Sequence, residues 1–366
     1  MTERGAHPKV PLVRKQFLRA VRSLFSPLLP DDYLELINPL WSTRELRGRV
    51  ERIERETSDT VTVLIRPGFA WQGHRPGQYL RIGVVIDGVH HWRAYSLTSD
   101  PDRADGLISV TPKLVEGGKV SPYLVRRLAL GSVVRLGRAE GTFTLPERVP
   151  PKLLFVSAGS GITPIMSMVR SLADHGQLRD VVHLHSARTE QDVIFRPDLA
   201  DLDRRHEGYR LHLQLTAEHG RMSPADLDEL CPDWREREAF CSGPGEFLDQ
   251  LTSHFEREGK RERLHLERFQ PRILGGEVEP GSGGPVRFLK GGRNTECDGR
   301  TPILVAGERA GLELAYGCRI GICFTCVGRL RSGRVRDLRT GEVSGSTGEL
   351  VRTCVSTAEG PVEIEL

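Results

Sequence analysis

The sequence predicts a multidomain fold, with an antiparallel β-barrel first, an α/β domain with a parallel sheet second, and a smaller domain last. Between Leu46 and Leu145, apolar and polar residues alternate in six short runs, which is the pattern of half-buried strands. After Pro150-Pro151, apolar runs alternate with helical stretches, which is typical of a parallel sheet covered by helices. A Gly-rich stretch at 275–285 then separates the last residues, 286–366, as a third unit.

The first predicted domain, 46–149, reads as a closed barrel. Turn signals such as Pro67-Gly68, Asp87-Gly88 and Asp105-Gly106 separate its alternating runs, and one helical insert lies near 119–129. Short strands at this spacing favour barrel closure, which removes exposed sheet edges. The six predicted strands are 49–54, 60–66, 78–86, 90–97, 107–113 and 132–137.

The second predicted domain, 150–271, begins with the buried run Leu153–Val156, which leads into a Gly-rich turn and a helix. Further apolar runs follow at 181–185, 211–215 and 239–240. In such folds, ligands bind at the carboxyl ends of the parallel strands. A linker, 272–285, connects this domain to the third.

Composition excludes several classes of protein. The chain has 52 basic and 49 acidic residues and a net charge of +3, which argues against a dedicated nucleic-acid binder. It has no apolar run long enough to span a membrane and no recognisable secretory signal, so we expect a cytoplasmic protein. The odd number of cysteines, 7, suits reduced thiols or a metal site better than a disulfide framework.

The N-terminal segment, 1–45, begins with a short basic amphipathic helix by its pattern. Phe17, Val21 and Leu28 recur at helical spacing, while Lys15 and Arg19 fall on the other side of the helical wheel. Two interpretations stay open. The helix lies on its own barrel, or it contacts a membrane surface or a partner, at the inner face of the membrane.

Four cysteines near the C-terminus carry the strongest chemical signal. Cys318, Cys323, Cys326 and Cys354 have the C-x4-C-x2-C…C spacing of a plant-type [2Fe-2S] cluster, in which four thiolates converge on two irons. A structural zinc site is the alternative, but zinc sites usually show two close ligand pairs. We expect the remaining cysteines, such as Cys231 and Cys297, to be ordinary buried or surface thiols.

The stretch RAYSLT at 93–98 follows a predicted strand and suits a flavin. Alternation places Arg93 and Tyr95 on one face, where the guanidinium can pair with a phosphate and the phenol ring can lie against the flavin. Ser96 and Thr98 can hydrogen-bond the ring edge. The alternative is a tyrosine in the barrel core with surface hydroxyls around it.

Two further Gly-rich turns have the chemistry of phosphate binding. GGKVSPYL at 117–124 places a glycine turn and Ser121 at a helix start, where N–H groups favour pyrophosphate. AGSGITP at 158–164 ends a buried strand, and Gly159 and Gly161 let the backbone approach a pyrophosphate, while Thr163 can cap the helix. This second turn lacks the third glycine of the GxGxxG fingerprint.

The next strand, VVHLHSAR, ends with Ser186 and Arg188. An arginine at this position accommodates a 2′-phosphate, whereas an acidic residue would bind the free ribose hydroxyl. Arg188 therefore favours NADPH over NADH, although it could equally face solvent, because arginine is abundant throughout the chain.

Taken in order, RAYSLT, the 117–124 turn and AGSGITP resemble the ferredoxin–NADP+ reductase superfamily. The resemblance implies that Arg93, Tyr95, Ser96 and Thr98 contact the flavin. It also implies a pyrophosphate loop, which favours FAD over FMN, formed by Gly118, Val120 and Ser121.

Other motifs extend this resemblance. GCRIGICFTC looks like plant-type ferredoxins, which implies an α+β β-grasp domain over 286–366. FCSGPGEF at 240–247 resembles a CGP motif near the nicotinamide, but alignment on Gly243-Pro244 puts Ser242 at the cysteine position, with Cys241 on the other face. HLERF resembles the segment where an acid and an aromatic lie beside the flavin, which makes Glu267 and Phe269 candidates; a plain last strand is the alternative.

The whole arrangement resembles single-chain reductase components of oxygenases. The runs LLPDDYLELINPLWSTRELRGRV, VVHLHSAR, DWRER and VRDLRTGE resemble, more closely, actinobacterial NADPH oxidoreductases that serve a membrane fatty acyl-CoA desaturase. The resemblance implies transfer of electrons from NADPH through FAD and a [2Fe-2S] cluster to that partner. A reductase of a ring-hydroxylating or other soluble oxygenase, a redox-sensing regulator and a non-enzymatic electron carrier are the alternatives.

Overall fold

A computed structural model describes residues 37–269, 281–290, 292–312, 314–316, 321, 324 and 326–366. The predicted N-terminal amphipathic helix, most of the predicted linker, Cys318 and Cys323 lie outside these residues. Within the described ranges, none of the helices has the length and apolar character that crossing a bilayer requires.

The first domain is the predicted antiparallel barrel. Its strands pair in the order β4-β3-β6-β1-β2-β5, and a bridge between Leu97 and Val110 joins the end of β4 to β5, so the sheet closes on itself. Alternating side chains, among them Leu80, Ile82 and Val134, fill the interior. The elements are β1 (Arg47–Thr57), β2 (Thr60–Pro67), β3 (Tyr79–Ile86), β4 (Val89–Ser96), β5 (Ile108–Val110), α1 (Val120–Arg126) and β6 (Val133–Leu136).

Part of the predicted N-terminal segment belongs to this barrel. Pro39–Trp41 form one turn of 3-10 helix, and the buried Leu40 accepts a hydrogen bond from the backbone N–H of Phe69 at 3.4 Å. Residues 39–41 therefore contact the segment that follows β2.

The second domain has the predicted parallel sheet, in the order β11-β10-β7-β8-β9. Phe155 faces α2 and Leu154 faces α6, because successive side chains of a strand point to opposite faces. The elements are β7 (Leu153–Ala158), α2 (Ile162–Asp174), β8 (Val181–Ala187), α3 (Arg196–Arg205), β9 (Tyr209–Leu215), α4 (Thr216–His219), α5 (Ala225–Leu230), β10 (Glu238–Ser242), α6 (Gly245–Arg257) and β11 (Leu264–Glu267).

The third domain combines a mixed five-stranded sheet with a three-stranded one, as expected for an α+β unit. Its first strand starts at Gly284, and the Gly281 N–H donates to the Gly299 carbonyl, so residues 281–285 belong to this domain rather than to the linker. The elements are β12 (Gly284–Phe288), β13 (Arg293–Cys297), α7 (Ile303–Arg309), β14 (Val327–Ser332), β15 (Val335–Asp337), β16 (Val343–Ser344), β17 (Leu350–Arg352), β18 (Ser356–Ala358) and β19 (Val362–Glu365).

Candidate active site

A cavity of about 1060 Å³ lies where the three domains meet. The barrel, the parallel-sheet domain and the third domain each contribute side chains to its wall. Ten of the predicted site residues line it: Arg93, Tyr95, Ser96, Gly118, Val120, Ser121, Thr163, Glu267, Phe269 and Cys354.

Strand β4 delivers the flavin motif to this cavity. Arg93 and Tyr95 both line it, as the alternation predicted, and Ser96 at the end of the strand joins them. The Arg93 guanidinium donates to the Trp92 carbonyl at 2.8 Å, which orients the side chain and leaves further N–H groups for a phosphate. Burial raises the pKa of Tyr95, so the phenol stays neutral beside any ligand.

Thr98 differs from the expectation. Its side chain is fully buried, and its hydroxyl lies 2.7 Å from the Ser109 hydroxyl inside the barrel. Thr98 is also absent from the cavity wall. Its hydroxyl therefore joins the segment after β4 to β5, inside the barrel.

The 117–124 turn forms a compact polar corner of the cavity. The Ser121 hydroxyl accepts from the Val115 N–H at 3.1 Å, so its own hydrogen remains to donate. Gly118 lies close beneath, since an added Cβ would come within 3.3 Å of Ser121 Oγ. This arrangement fits a pyrophosphate, which is bound by backbone N–H groups and hydroxyls.

The two glycines of AGSGITP have different roles. Gly159 has φ of +53°, a conformation that suits glycine. Gly161 packs against β10, because a Cβ there would lie 2.2 Å from the Ser242 carbonyl oxygen. Gly161 therefore allows close packing of the turn against the end of β10.

Thr163 does not cap the helix as expected. Helix α2 begins at Ile162, so Thr163 lies inside its first turn, and its hydroxyl donates to the Ser160 carbonyl at 2.9 Å. Thr163 lines the cavity from this position.

The carboxyl edge of the parallel sheet holds the rest of the predicted nucleotide site. Ser186 pairs with Ala158 across β8 and β7 and is buried, whereas Arg188 just beyond is exposed. Gly243 and Pro244 follow β10 and precede α6. These residues line the sheet edge beside the Gly-rich turn rather than the central cavity.

Ser242 and Cys241 face opposite sides of β10, as expected. Cys241 packs in the hydrophobic core, where burial raises the pKa of its thiol. Ser242 is fully buried next to Gly161, and its hydroxyl has no hydrogen-bond partner among the described residues. An orphaned hydroxyl at the carboxyl edge fits a site that a polar ligand completes.

Glu267 ends β11 and faces the cavity with Phe269. Burial raises the pKa of the Glu267 carboxyl from 4.5 to about 7. Glu267 also contributes to raising the pKa of Tyr79, to about 12, after burial and the nearer Glu140. An acid that titrates near neutral pH therefore borders the predicted flavin position.

Two predicted cluster ligands can be placed. Cys354 and Cys326 are both buried and belong to one apolar cluster with Leu304 and Val355. The Gly321 N–H donates to Cys354 Sγ at 3.2 Å, a contact that stabilises a thiolate and tunes iron–sulfur centres. The donor set fits a cluster on the side of the third domain that faces the cavity.

The other cysteines behave as ordinary thiols, as expected. Cys231 is buried, and burial raises the pKa of its thiol to about 12. Cys297 is buried in the core of the third domain, where its thiol donates to the Thr301 carbonyl at 2.9 Å.

Several cavity residues were missed by sequence reasoning. Tyr79 opens β3 after the Pro76-Gly77 turn, and Arg300 and Arg339 come from the third domain. For Tyr79, the signal was available, because an aromatic begins a strand beside the flavin motif. The two arginines carry no local signal, since only the docking of the third domain brings them to the cavity.

Comparisons with known proteins support the three-part division. The oxidoreductase FAD-binding domain matches residues 49–145, the oxidoreductase NAD-binding domain matches 155–231, and the 2Fe-2S iron-sulfur cluster binding domain matches 288–359.

Two curated proteins and one solved structure are similar to most of this chain. An NADPH oxidoreductase of Mycobacterium tuberculosis is 44% identical over 363 residues, covering 98% of this chain and 93% of that protein. A glycine betaine monooxygenase reductase subunit of Pseudomonas aeruginosa is 28% identical, covering 80% of this chain and 87% of that protein. The structure of phthalate dioxygenase reductase matches with a TM-score of 0.59 and 20% identity, over 88% of this chain and 98% of that chain, which shows a common fold.

The predicted cofactors follow from these domains, together with the cavity and the two placed cysteines. The chain therefore belongs to the ferredoxin–NADP+ reductase-like family of NAD(P)H oxidoreductases that combine FAD-binding, NAD-binding and 2Fe-2S domains.

Proposed function

We propose that the protein passes electrons from NADPH, through FAD and a [2Fe-2S] cluster, to an oxygenase-type partner, and that this partner is a membrane fatty acyl-CoA desaturase. The observation that carries the first part is the shared cavity. Its wall includes both the flavin-motif residues of β4 and Cys354, a predicted cluster ligand. Two redox groups bound at the wall of one cavity can exchange electrons without leaving the chain.

In this proposal, the residues of the chain bind and orient. Arg93, Gly118 and Ser121 hold the FAD phosphates, and Tyr95 and Ser96 border the flavin ring. When bound, FAD would supply a two-electron acceptor for the hydride of NADPH that can also release single electrons, and the cluster would supply a one-electron carrier.

The nicotinamide nucleotide binds at the carboxyl edge of the parallel sheet. Gly159 and Gly161 shape the turn for its pyrophosphate, and the exposed Arg188 pairs with the 2′-phosphate of NADPH. Ser186, Thr163, Gly243 and Pro244 complete this edge. The unpartnered Ser242 hydroxyl is available for the nicotinamide region.

Glu267 and Phe269 border the flavin from the side of the parallel-sheet domain. Because the pKa of Glu267 is about 7, its carboxyl can hold a proton near the ring at neutral pH. No side chain has to act as a nucleophile in this scheme.

The desaturase partner rests on resemblance and on the N-terminal sequence. The basic amphipathic pattern within residues 1–45 suits a peripheral contact at the inner face of a membrane. A reductase for a soluble monooxygenase or ring-hydroxylating oxygenase is the second candidate. It is favoured by the relatives named as monooxygenase reductase subunits and by the fold of phthalate dioxygenase reductase.

Reconstitution separates these candidates. The purified protein is mixed with NADPH and with either a membrane desaturase and its acyl-CoA or a soluble oxygenase and its substrate. We expect NADPH consumption to be coupled to product only with the desaturase. Coupled turnover with the soluble oxygenase alone would replace the desaturase assignment and leave the reductase chemistry intact.

A further inference from the structure

A second polar cluster lies away from the cavity, at the seam between the barrel and the parallel-sheet domain. Asp100 and Asp102 belong to the loop that follows the flavin motif, and His175 follows the last residue of α2. One ligand-type atom from each of the three side chains lies within 4.8 Å of the others. The cluster therefore joins the segment after RAYSLT to the helix that begins at the nucleotide turn.

The geometry points to a divalent metal site: we propose that Asp100, Asp102 and His175 together bind one zinc-class cation. The Asp102 Oδ2 atom and the His175 Nε2 atom are 3.4 Å apart. Two ligands held at about 2 Å from one ion in a tetrahedral arrangement have a similar separation.

His175 is oriented as a metal ligand. Its Nδ1 lies 2.7 Å from the Ser171 carbonyl oxygen, which can only accept, so Nδ1 carries the proton. The lone pair of the neutral ring is then on Nε2, the atom that faces Asp102. Metal-binding histidines usually donate their other ring N–H in this way.

Asp100 supplies an independent observation. The residue is only 4% exposed, and its carboxyl group takes part in a hydrogen bond with the Ser171 side chain. Its Oδ1 atom has no hydrogen-bond partner within the part of the chain that the structure describes. The other oxygen, Oδ2, accepts from the Asp102 N–H at 3.1 Å. A buried carboxylate oxygen without a partner is costly, and a cation would satisfy it.

The charge around the cluster also favours a cation, because a third carboxylate, Asp174, joins Asp100 and Asp102 near His175.

Hydrogen bonds already hold α2 against the loop that carries Asp100 and Asp102, so a bound ion would add to an existing contact. Ser167 donates to the Ser99 carbonyl and Arg170 donates to the Thr98 carbonyl, each at 2.7 Å. These bonds tie α2 to the loop that carries Asp100 and Asp102. Occupancy of the site would therefore stiffen the connection between the flavin-binding strand and the nucleotide turn.

Equilibrium dialysis of the FAD- and cluster-loaded protein against zinc ions tests the site. Metal is counted by elemental analysis, and iron is counted in the same samples to verify that the cluster is unchanged. We expect the wild-type protein to bind one zinc ion more than the Asp102→Asn/His175→Gln double variant. Each single variant should bind zinc at least about tenfold more weakly, because even outer-shell losses cost ~10–100-fold.

His219→Gln is the matched control, since His219 is an exposed histidine on α4 outside the cluster. It should bind zinc like the wild type. Zinc should also raise the unfolding temperature of the wild type by about 2–4 °C but not that of the double variant. Equal zinc binding by the wild type and the double variant, or an equal thermal shift, would overturn the proposal and leave only a His175–Asp102 ion pair.

Discussion

Arg188 carries the distinction between NADPH and NADH in this account. It is exposed just beyond β8, next to the buried Ser186. Arg188→Asp should reduce kcat/KM for NADPH by at least about tenfold while changing NADH use much less, because a charge-assisted contact becomes a repulsion. Steady-state dye reduction with each nucleotide measures this.

Arg179→Asp is the control for that comparison. Arg179 is also exposed but precedes β8, at the opposite edge of the sheet. It should leave the preference between the nucleotides unchanged. Equal losses for NADPH and NADH in Arg188→Asp would remove the basis for the NADPH assignment.

The Glu267 carboxyl should make the free energy of unfolding depend on pH. Its pKa is about 7 in the folded protein and 4.5 ordinarily, so between these values the folded state keeps a proton that the unfolded state has lost. Stability therefore falls as pH rises through this window, by up to about 3 kcal/mol. Glu267→Gln should remove this loss, so its advantage over the wild type in thermal unfolding should be larger at pH 8 than at pH 5.

The wild type and Glu267→Gln can be compared by the temperature at which FAD is released at each pH. Glu246→Gln is a suitable control, because Glu246 is an exposed acid in the first turn of α6. A difference between wild type and Glu267→Gln that is constant from pH 5 to pH 8 would contradict the assigned pKa.

The sequence predicted the positions of some site residues but not the hydrogen-bond partners of single hydroxyl groups. Arg93 and Tyr95 could be placed because strand alternation fixes which face they share. The hydrogen-bond partners of Thr98 and Thr163 could not be predicted, because a hydroxyl can bond to any neighbouring polar group. In the structure, each hydroxyl bonds to a partner within its own domain. The pKa of Glu267 was equally hidden, since it depends on burial.

The turn between β7 and α2 depends on Gly161. An added Cβ would lie 2.2 Å from the Ser242 carbonyl oxygen, which belongs to the backbone and cannot move alone. Gly161→Ala should therefore destabilise the domain by about 1–3 kcal/mol and raise KM for NADPH. Thermal unfolding and steady-state kinetics measure the two effects.

Gly245→Ala is the matched control on the neighbouring helix. Its Cβ would meet only the end of the Arg268 side chain, at 3.5 Å, which is ordinary contact. Gly245→Ala should behave like the wild type. A Gly161→Ala protein with normal stability and normal KM would contradict this prediction, because the backbone at Gly161 or Ser242 would then have moved to make room for the Cβ without cost.

The positions of strands were predicted well where a segment had one regular pattern of apolar residues. The barrel strands and the buried runs of the parallel sheet stand within a few residues of their predicted places, because side-chain alternation and buried apolar runs are local signals. The start of the third domain at residues 281–285 was missed, because a Gly-rich stretch reads as a linker unless its tertiary partners, such as Gly299, are known.

We propose that the N-terminal segment is a docking aid; its predicted helix lies outside the described residues. Deletion of residues 1–25 should leave NADPH-to-dye activity nearly intact, because the cofactor motifs begin beyond Leu46. It should weaken binding to anionic liposomes by about 1 kcal/mol for each cation near the surface, and the effect should shrink with salt. Lower thermal stability and looser FAD with unchanged liposome binding would instead place the helix on the barrel.

The cavity that joins the domains could not have been predicted from local patterns. Its wall brings Tyr79 of the barrel together with Arg339 and Cys354 of the third domain. The order of the motifs indicated which cofactors to expect, but not that the third domain turns the Cys354 side toward the flavin motif. That relation depends on long-range packing.

The central claim is that one chain moves electrons from a nicotinamide nucleotide through a flavin to an iron–sulfur cluster. Cys354→Ser tests it most directly, with Cys297→Ser, another buried cysteine of the third domain, as the control. Both proteins are assayed for FAD, iron and sulfide, and for NADPH-dependent reduction of a two-electron dye and of cytochrome c.

We predict that Cys354→Ser keeps FAD and dye reduction, loses iron and sulfide, and reduces cytochrome c only at the background rate, whereas Cys297→Ser retains FAD, iron, sulfide and both activities. Full cytochrome c reduction by a cluster-free Cys354→Ser protein, or zinc in place of iron and sulfide in the wild type, would contradict the account.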